Sequence, residues 1–403
     1  METQKLYEAD SHLRRCQAVV LDCFPDQNGF RVVLDRTIFF PEGGGQLSDG
    51  GTIGDVEVTE THEKDGRILH FTREALPPGA VVDCLLDWPR RLDHMQQHTG
   101  EHILSWAFWK LLGVHNVGFH MGTDIVTIDL DREVTQEEAQ AAEELANDQV
   151  FQDLPVLCRT ASPEEMEHLP LRKKTEKFSG DLRLVEVEGG DLCTCCGTHV
   201  KHTGEIGMIK IIRLERNKGG SRVEFLCGGR ALRDYRLKNH VIQEAGAALS
   251  VKEADVPLGI RRLKGELAGA GAALRERSRL LTEMYAKELL AETPEKNGGR
   301  TIVTCQPDLD AKEAKMLLNL LVQVPGTAAV ILYPVPGEKE GQPGRLCYLL
   351  GRAPDSTADC KYLCDALNGL YNGKGGGRGD FAQGSGKLEP SWQETATALY
   401  KLI

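Results

Sequence analysis

The sequence predicts a mixed α+β protein made of several domains. Its 403 residues correspond to two to four domains at roughly 100–200 residues each. With 41% hydrophobic and 27% charged residues, the composition is that of an ordinary globular chain. The hydrophobic pattern changes near residue 90 from strict alternation to a helical period, and strand-like and helix-like segments alternate after residue 300.

Each predicted domain follows from its local pattern. Short alternating runs separated by Gly, Asp and Pro predict a small N-terminal β-barrel. A helical face from Arg90 to Gly113, a capping box at Thr135 and strands at Leu182–Val187 and Ile206–Arg213 predict an α+β domain. Apolar residues at steps of three and four over residues 258–289 predict a helical arm or coiled coil, with Arg277 breaking the register. The predicted domains are residues 1–90, 91–240, 241–292 and 293–403, the last an α/β domain that closes with a glycine loop and a helix entered at Pro390.

Charge and cysteine usage exclude several classes of protein. The net charge of −12 argues against indiscriminate coating of nucleic acid, although residues 200–238 hold ten Lys or Arg against four acids and are the best candidate for an RNA-facing surface. The charged N-terminus predicts no export, and no stretch is apolar enough to predict a membrane span. We therefore expect a cytoplasmic protein with twelve reduced thiols.

Two imidazoles four residues apart are the first candidate for chemistry. On a helix, His98 and His102 share one face about 6 Å apart, which suits ligands of a single metal ion. His94 lies one turn earlier, so the choice of pair is open, and we favour His98 with His102.

A second half-site lies about 95 residues downstream. Cys195 and His199 are also four residues apart, and together with the two upstream imidazoles they would form a zinc-like ligand set. On physical grounds Cys193, Cys195 and Cys196 are all candidates for the thiolate, and a structural zinc or a redox-sensitive thiol cluster are the alternatives.

A glycine motif supplies the third element. Gly43, Gly44 and Gly45 allow the backbone to approach a ligand closely, while Thr37 and Gln46 could hydrogen-bond a small polar group.

These three segments resemble the glycine, HxxxH and CxxxH motifs of the alanyl-tRNA editing proteins, which are free-standing relatives of the editing domain of alanyl-tRNA synthetase. The motifs are Thr37–Asp49, Arg91–His102 and Cys195–Val200. Gly373–Gly384 is similar to the glycine-rich signature of the DHHA1 domain that ends that synthetase.

The resemblance implies a function and assigns roles. It implies that His98, His102, Cys195 and His199 bind zinc, that Thr37 and Gln46 recognise the amino acid beside Gly43–Gly45, and that no amino acid is activated. The implied reaction is hydrolysis of the ester in tRNA(Ala) mischarged with serine, and also with glycine. Lys374, Gly375, Gly376, Gly377 and Arg378 would contact tRNA, and the C-terminal region could instead form a homodimer.

Two other classes of function stay open at this point. Residues 98–102 also fit the H-x-x-E-H pattern of a zinc peptidase with Glu101 as general base, and a noncatalytic zinc-containing RNA-binding protein would keep the same ligands. For the editing reaction, we expect Thr37→Val to lower serine deacylation more than it harms folding. The role of Glu101 in that reaction is unassigned.

Overall fold

The computed structural model describes residues 2–172, 181–296, 298–336 and 344–387. Two compact units, Met1–Ala245 and Gly246–Ile403, each contain helices and strands, so the prediction of a mixed α+β multidomain chain is confirmed. The finer division into four domains stays a prediction. No described helix has both the length and the apolar character needed to cross a membrane.

β-Strands dominate the first 86 residues. Six of them pair in a closed ring, in the order β2-β3-β7-β6-β5-β8, which leaves no free sheet edge. Alternate residues such as Val32, Leu34 and Ile53 point inward and are fully buried. The elements are β1 (Gln4–Lys5), α1 (Leu6–Ala9), β2 (Arg15–Asp26), β3 (Gly29–Leu34), β4 (Arg36–Thr37), β5 (Gly51–Ile53), β6 (Val56–Lys64), β7 (Arg67–Thr72) and β8 (Val81–Leu86).

A long central helix follows, α2 (Trp88–Leu112). Asp87 caps it by accepting a hydrogen bond from the Arg90 backbone N–H, and Gly113 ends it with a φ of 64°. Its residues from Gln97 to Phe108 are all buried, so it is surrounded by protein rather than lying on the surface. The predicted helix from Arg90 to Gly113 therefore exists, and its histidines face the interior.

The rest of the first unit consists of two antiparallel sheets and their helices. Their strand orders are β14-β15-β10-β9 and β11-β12-β13. The predicted strand at Ile206 starts only at Ile209, because residues 203–206 form a 3₁₀ turn. The elements are β9 (Asn116–Met121), β10 (Val126–Leu130), α3 (Gln136–Phe151), β11 (Val156–Ala161), α4 (Pro163–His168), β12 (Leu182–Val187), β13 (Leu192–Thr194), β14 (Ile209–Asn217), β15 (Gly220–Cys227) and α5 (Gly228–Leu249).

The second unit joins one long helix to a five-stranded sheet of order β16-β17-β18-β20-β19. Apolar seam residues of the helix, Leu263, Leu267 and Leu274, are between 54% and 72% exposed. The helix entered at Pro390 lies outside the described residues. The elements are α6 (Val256–Glu292), β16 (Arg300–Cys305), α7 (Ala311–Val322), β17 (Thr327–Val335), β18 (Arg345–Arg352), α8 (Cys360–Leu370), β19 (Lys374–Gly377) and β20 (Phe381–Lys387).

The glycine segment predicted as a loop is an edge strand. Lys374–Gly377 pairs antiparallel with β20. Side chains would prevent this pairing: a Cβ on Gly375 would lie 2.5 Å from Cα of Gly384, and one on Gly377 would lie 2.2 Å from the Phe381 carbonyl oxygen. The glycines here permit close packing of two strands.

Candidate metal centre

Three imidazoles and one thiol meet in the interior of the first unit. The ligand atoms of His98, His102, Cys195 and His199 all lie within 4.8 Å of one another. The Cys195 Sγ atom is 3.4 Å from Nε2 of His98 and 3.4 Å from Nε2 of His199. Two segments about 95 residues apart in sequence therefore converge on one point.

Local structure explains how each half reaches this point. One turn of α2 places His98 and His102 on the same face, with ring centroids 5.3 Å apart. Beyond β13 the chain is held by Arg183, which donates hydrogen bonds to the carbonyl oxygens of Cys195 and Gly197. Gly197 must lack a side chain, because its Cβ would lie 2.1 Å from Cε1 of His98.

A buried oxygen atom faces the Nδ1 atom of each imidazole. The pairs are His98 with the Gln46 side-chain carbonyl at 2.7 Å, His102 with Asp191 at 3.0 Å, and His199 with the Thr99 hydroxyl at 3.2 Å. Hydrogen bonding at Nδ1 leaves Nε2 of each ring available to bind a cation.

The electrostatics of the group favour a thiolate. Burial alone would raise the pKa of the Cys195 thiol, but the neighbouring His98 holds that pKa well below its ordinary value. Burial lowers the pKa of His199 to about 3, which keeps this ring neutral and able to bind a cation. A thiolate at Cys195 and a neutral ring at His199 are the protonation states that metal ligands require.

The three neighbouring cysteines occupy different environments. Cys195 belongs to the four-residue group, whereas the Cys193 Sγ atom lies on the other side of His102, 3.3 Å from its Nδ1. Cys196 is exposed. The geometry therefore brings together the cysteine that the motif implies, and three nitrogens with one sulfur form a set that suits zinc.

The glycine motif contacts the same group through Gln46. This side chain is fully buried, and its Nε2 donates to the Thr198 hydroxyl at 2.8 Å while its Oε1 accepts from the Thr198 backbone N–H at 3.1 Å. Gln46 therefore connects the motif to both segments that form the four-residue group.

The other motif residues are placed differently. Gly43, Gly44 and Gly45 are exposed, and a Cβ on Gly45 would lie 2.6 Å from the ring of Phe119, which stacks on His98. Thr37 is fully buried, and its hydroxyl contacts His70.

Two further titratable residues on α2 do not belong to the group. His94 lies outside the group, and burial lowers its pKa to about 4. Glu101 is buried, with its Oε1 accepting hydrogen bonds from Ser105 at 2.6 Å and Asn116 at 2.7 Å. The Glu101 Oε2 atom is 3.9 Å from Nε2 of His102.

The basic stretch at residues 200–238 is largely neutralised. Eight of its ten cationic side chains form ion pairs, among them Arg222 with Asp129 and the buried Arg230 with Asp93. This reduces its value as an RNA-facing surface. Residues 374–378, by contrast, are all exposed.

Sequence reasoning missed Thr99, Asp191, Arg172 and Phe119 as residues around the group. Thr99 lies inside the HxxxH segment and Asp191 only four residues before Cys195, which are weak local signals. Arg172 and Phe119 carry no such signal, because only the folded chain brings them close.

Comparisons with known proteins agree with this site. A family model described as the threonyl and alanyl tRNA synthetase second additional domain matches residues 182–224. The chain is 32% identical over 404 residues to the alanyl-tRNA editing protein AlaX-L of Pyrococcus horikoshii, covering 96% of this chain and 95% of that protein. It is 30% identical to the alanyl-tRNA editing protein Aarsd1 of Mus musculus, covering 92% of each. It is also 32% identical to the alanine–tRNA ligase of Halorubrum lacusprofundi, across 96% of this chain and 42% of the ligase.

These matches place the chain among proteins related to alanyl-tRNA synthetases. The near-full-length relatives are more specific: the chain belongs to the alanyl-tRNA editing protein family.

Proposed function

We propose that the protein is a zinc-dependent deacylase that hydrolyses the ester of tRNA(Ala) mischarged with serine, and also with glycine. The observation that carries this proposal is the four-residue group of His98, His102, Cys195 and His199 beside the glycine motif. Charged tRNA is used in the cytoplasm, where we propose the protein acts.

We propose that these four side chains hold Zn²⁺. When bound, zinc supplies Lewis-acid polarisation of a water molecule or of the substrate. The protein contributes orientation: Gln46, Asp191 and Thr99 fix the three rings before substrate arrives. Aminoacyl esters are labile, so positioning and modest polarisation suffice.

The exposed glycine motif offers the substrate a path to the four-residue group. The exposed backbone of Gly43–Gly45 lies next to Phe119 and thus next to His98, and we propose that the aminoacyl end of the tRNA binds along it. A polar group facing the serine hydroxyl would be left unpaired by alanine, at a cost of about 1–3 kcal/mol, which would spare correctly charged tRNA. From the resemblance, Thr37 and Gln46 are the candidates for that group.

For the second unit we propose a role in binding tRNA. Lys374 and Arg378 flank three glycines on an exposed edge strand, so cationic side chains and backbone N–H groups are both accessible to phosphates. A homodimer formed through the C-terminal region is a separate proposal, which the solution mass of the protein tests.

Release of serine from Ser-tRNA(Ala) tests the proposed function, with Ala-tRNA(Ala) as the matched substrate control. We expect serine release to stop on treatment with a chelator and to return with zinc. Tight binding of tRNA without release would instead support a noncatalytic RNA-binding protein. Cleavage of peptides that is lost in Glu101→Gln would support the zinc peptidase.

A further inference from the structure

The orientation of His102 is fixed by its position on α2 and also by a contact with the buried Asp191–Arg172 ion pair. Its Nδ1 atom lies 3.0 Å from Oδ2 of Asp191, a residue only 1% exposed. Arg172 donates two hydrogen bonds to the same carboxylate, with Nε 2.6 Å from Oδ1 and Nη2 3.1 Å from Oδ2. The partners of the other two metal-facing imidazoles, Gln46 and Thr99, are neutral.

This cluster superficially resembles a second metal site. The ligand atoms of His102, Asp191 and Cys193 lie within 4.8 Å of one another, and all three residues are buried. The guanidinium of Arg172 already supplies the cation there, because its Nη2 is 3.1 Å from the carboxylate and 3.7 Å from the Cys193 sulfur. A metal ion at this place would have to displace a bidentate arginine.

We infer that Asp191, braced by Arg172, is a positioning residue that fixes His102 with its proton on Nδ1 and its Nε2 directed at the metal. A carboxylate that accepts the Nδ1–H bond restricts the ring to one orientation and one tautomer. The bidentate arginine prevents the carboxylate from rotating away. The inference rests on the proposed zinc site, although it does not depend on which substrate that site hydrolyses.

Asp191→Asn is the direct test, because the amide has the same shape and lacks the charge. We expect zinc affinity, measured by competition with a chromophoric chelator, to fall about 10–100-fold. The visible spectrum of the cobalt-substituted variant should also shift, since a reoriented imidazole changes the ligand field. A purely structural role would leave this spectrum unchanged.

Asp129→Asn is the matched control. Asp129 forms a similar bidentate pair with Arg222, at 2.7 and 2.8 Å, and belongs to neither ligand group. We expect this variant to keep wild-type zinc affinity and the wild-type cobalt spectrum. Equal affinity and equal spectra for Asp191→Asn and Asp129→Asn would overturn the inference.

A measurement on the zinc-loaded wild-type protein covers the case in which Asp191→Asn does not fold. Long-range proton–nitrogen NMR spectra should show His102 protonated at Nδ1 and metal-bound at Nε2. Metal at Nδ1 would overturn the inference. Zinc binding with this tautomer but without serine release would refute only the proposed function, whereas absence of zinc binding would refute both.

Discussion

The hydroxyl of Thr37 lies 2.8 Å from Nε2 of His70, and both residues are fully buried. The other ring nitrogen of His70 donates to the Val32 carbonyl, so Nε2 accepts the Thr37 proton. The same hydroxyl accepts a hydrogen bond from the Phe39 backbone N–H. Every hydrogen bond of this hydroxyl is therefore made within the protein.

Substitution of Thr37 separates a structural role from substrate recognition. Thr37→Val leaves His70 Nε2 and the Phe39 N–H without partners, so we expect unfolding in urea to require about 1–3 kcal/mol less. Thr37→Ser keeps the hydroxyl and is the control, which should lose much less stability. Slower serine release in Thr37→Val at unchanged stability would instead support the role in substrate recognition that the resemblance implies.

The burial of His70 predicts a pH dependence of stability. Burial lowers its pKa to about 4, so the unfolded chain, with an ordinary pKa near 6.5, binds the proton more readily. The contribution is complete above pH 6.5 and is lost as the pH falls towards 4, amounting to roughly 3 kcal/mol. Urea unfolding at pH 7, 6 and 5 measures it. In His70→Gln the slope of stability against pH should become shallower, and an unchanged slope would contradict the assignment.

Replacement of single cysteines tests the identity of the thiolate. Cys195→Ser should abolish stoichiometric zinc, because a hydroxyl replaces the sulfur ligand. Cys196→Ser, at an exposed neighbour, should retain one zinc per chain after dialysis, measured by atomic emission. If Cys195→Ser kept its zinc and Cys196→Ser lost it, the thiolate ligand would be Cys196 and the assignment to Cys195 would be wrong.

Gly197→Ala should damage the metal site without replacing a ligand. The added methyl group would lie 2.1 Å from the His98 ring, so the ring or the segment that carries Cys195 must shift. We expect zinc affinity to fall at least about tenfold, comparable to the loss of a residue that orients a ligand. Gly265→Ala, where the new methyl meets open space on α6, is the control and should keep its zinc.

Glycines on β19 should divide into two kinds. Gly375→Ala collides with β20 and should lower the melting temperature, whereas Gly376→Ala meets nothing within 4 Å and should fold normally.

The proposed contact between β19 and tRNA is tested by a charge reversal. If β19 binds tRNA, Lys374→Glu should weaken tRNA binding and reduce its salt dependence, as measured by filter binding at several salt concentrations. Wild-type affinity in Lys374→Glu would refute this contact.

Local patterns were sufficient for much of the site. The i, i+4 spacing of His98 and His102 follows from helix geometry, and the Cys195–His199 pair completes a recognisable ligand set before any tertiary structure is known. The helix of residues 88–112 was equally readable from its period. These features depend on neighbours within a few residues, and the sequence displays such neighbours directly.

Only the tertiary structure decided which oxygen atom contacts each imidazole, including the contact between Gln46 and His98. It also decided that the Thr37 hydroxyl hydrogen-bonds to His70 and that most cations of residues 200–238 form ion pairs. Each of these is a contact between residues distant along the chain. Such contacts are fixed by packing and burial in the folded chain, and the local hydrophobic periodicity of the sequence does not predict them. The sequence thus determined the candidate ligands and the helix that carries two of them, whereas the fold determined their orientation and their surroundings.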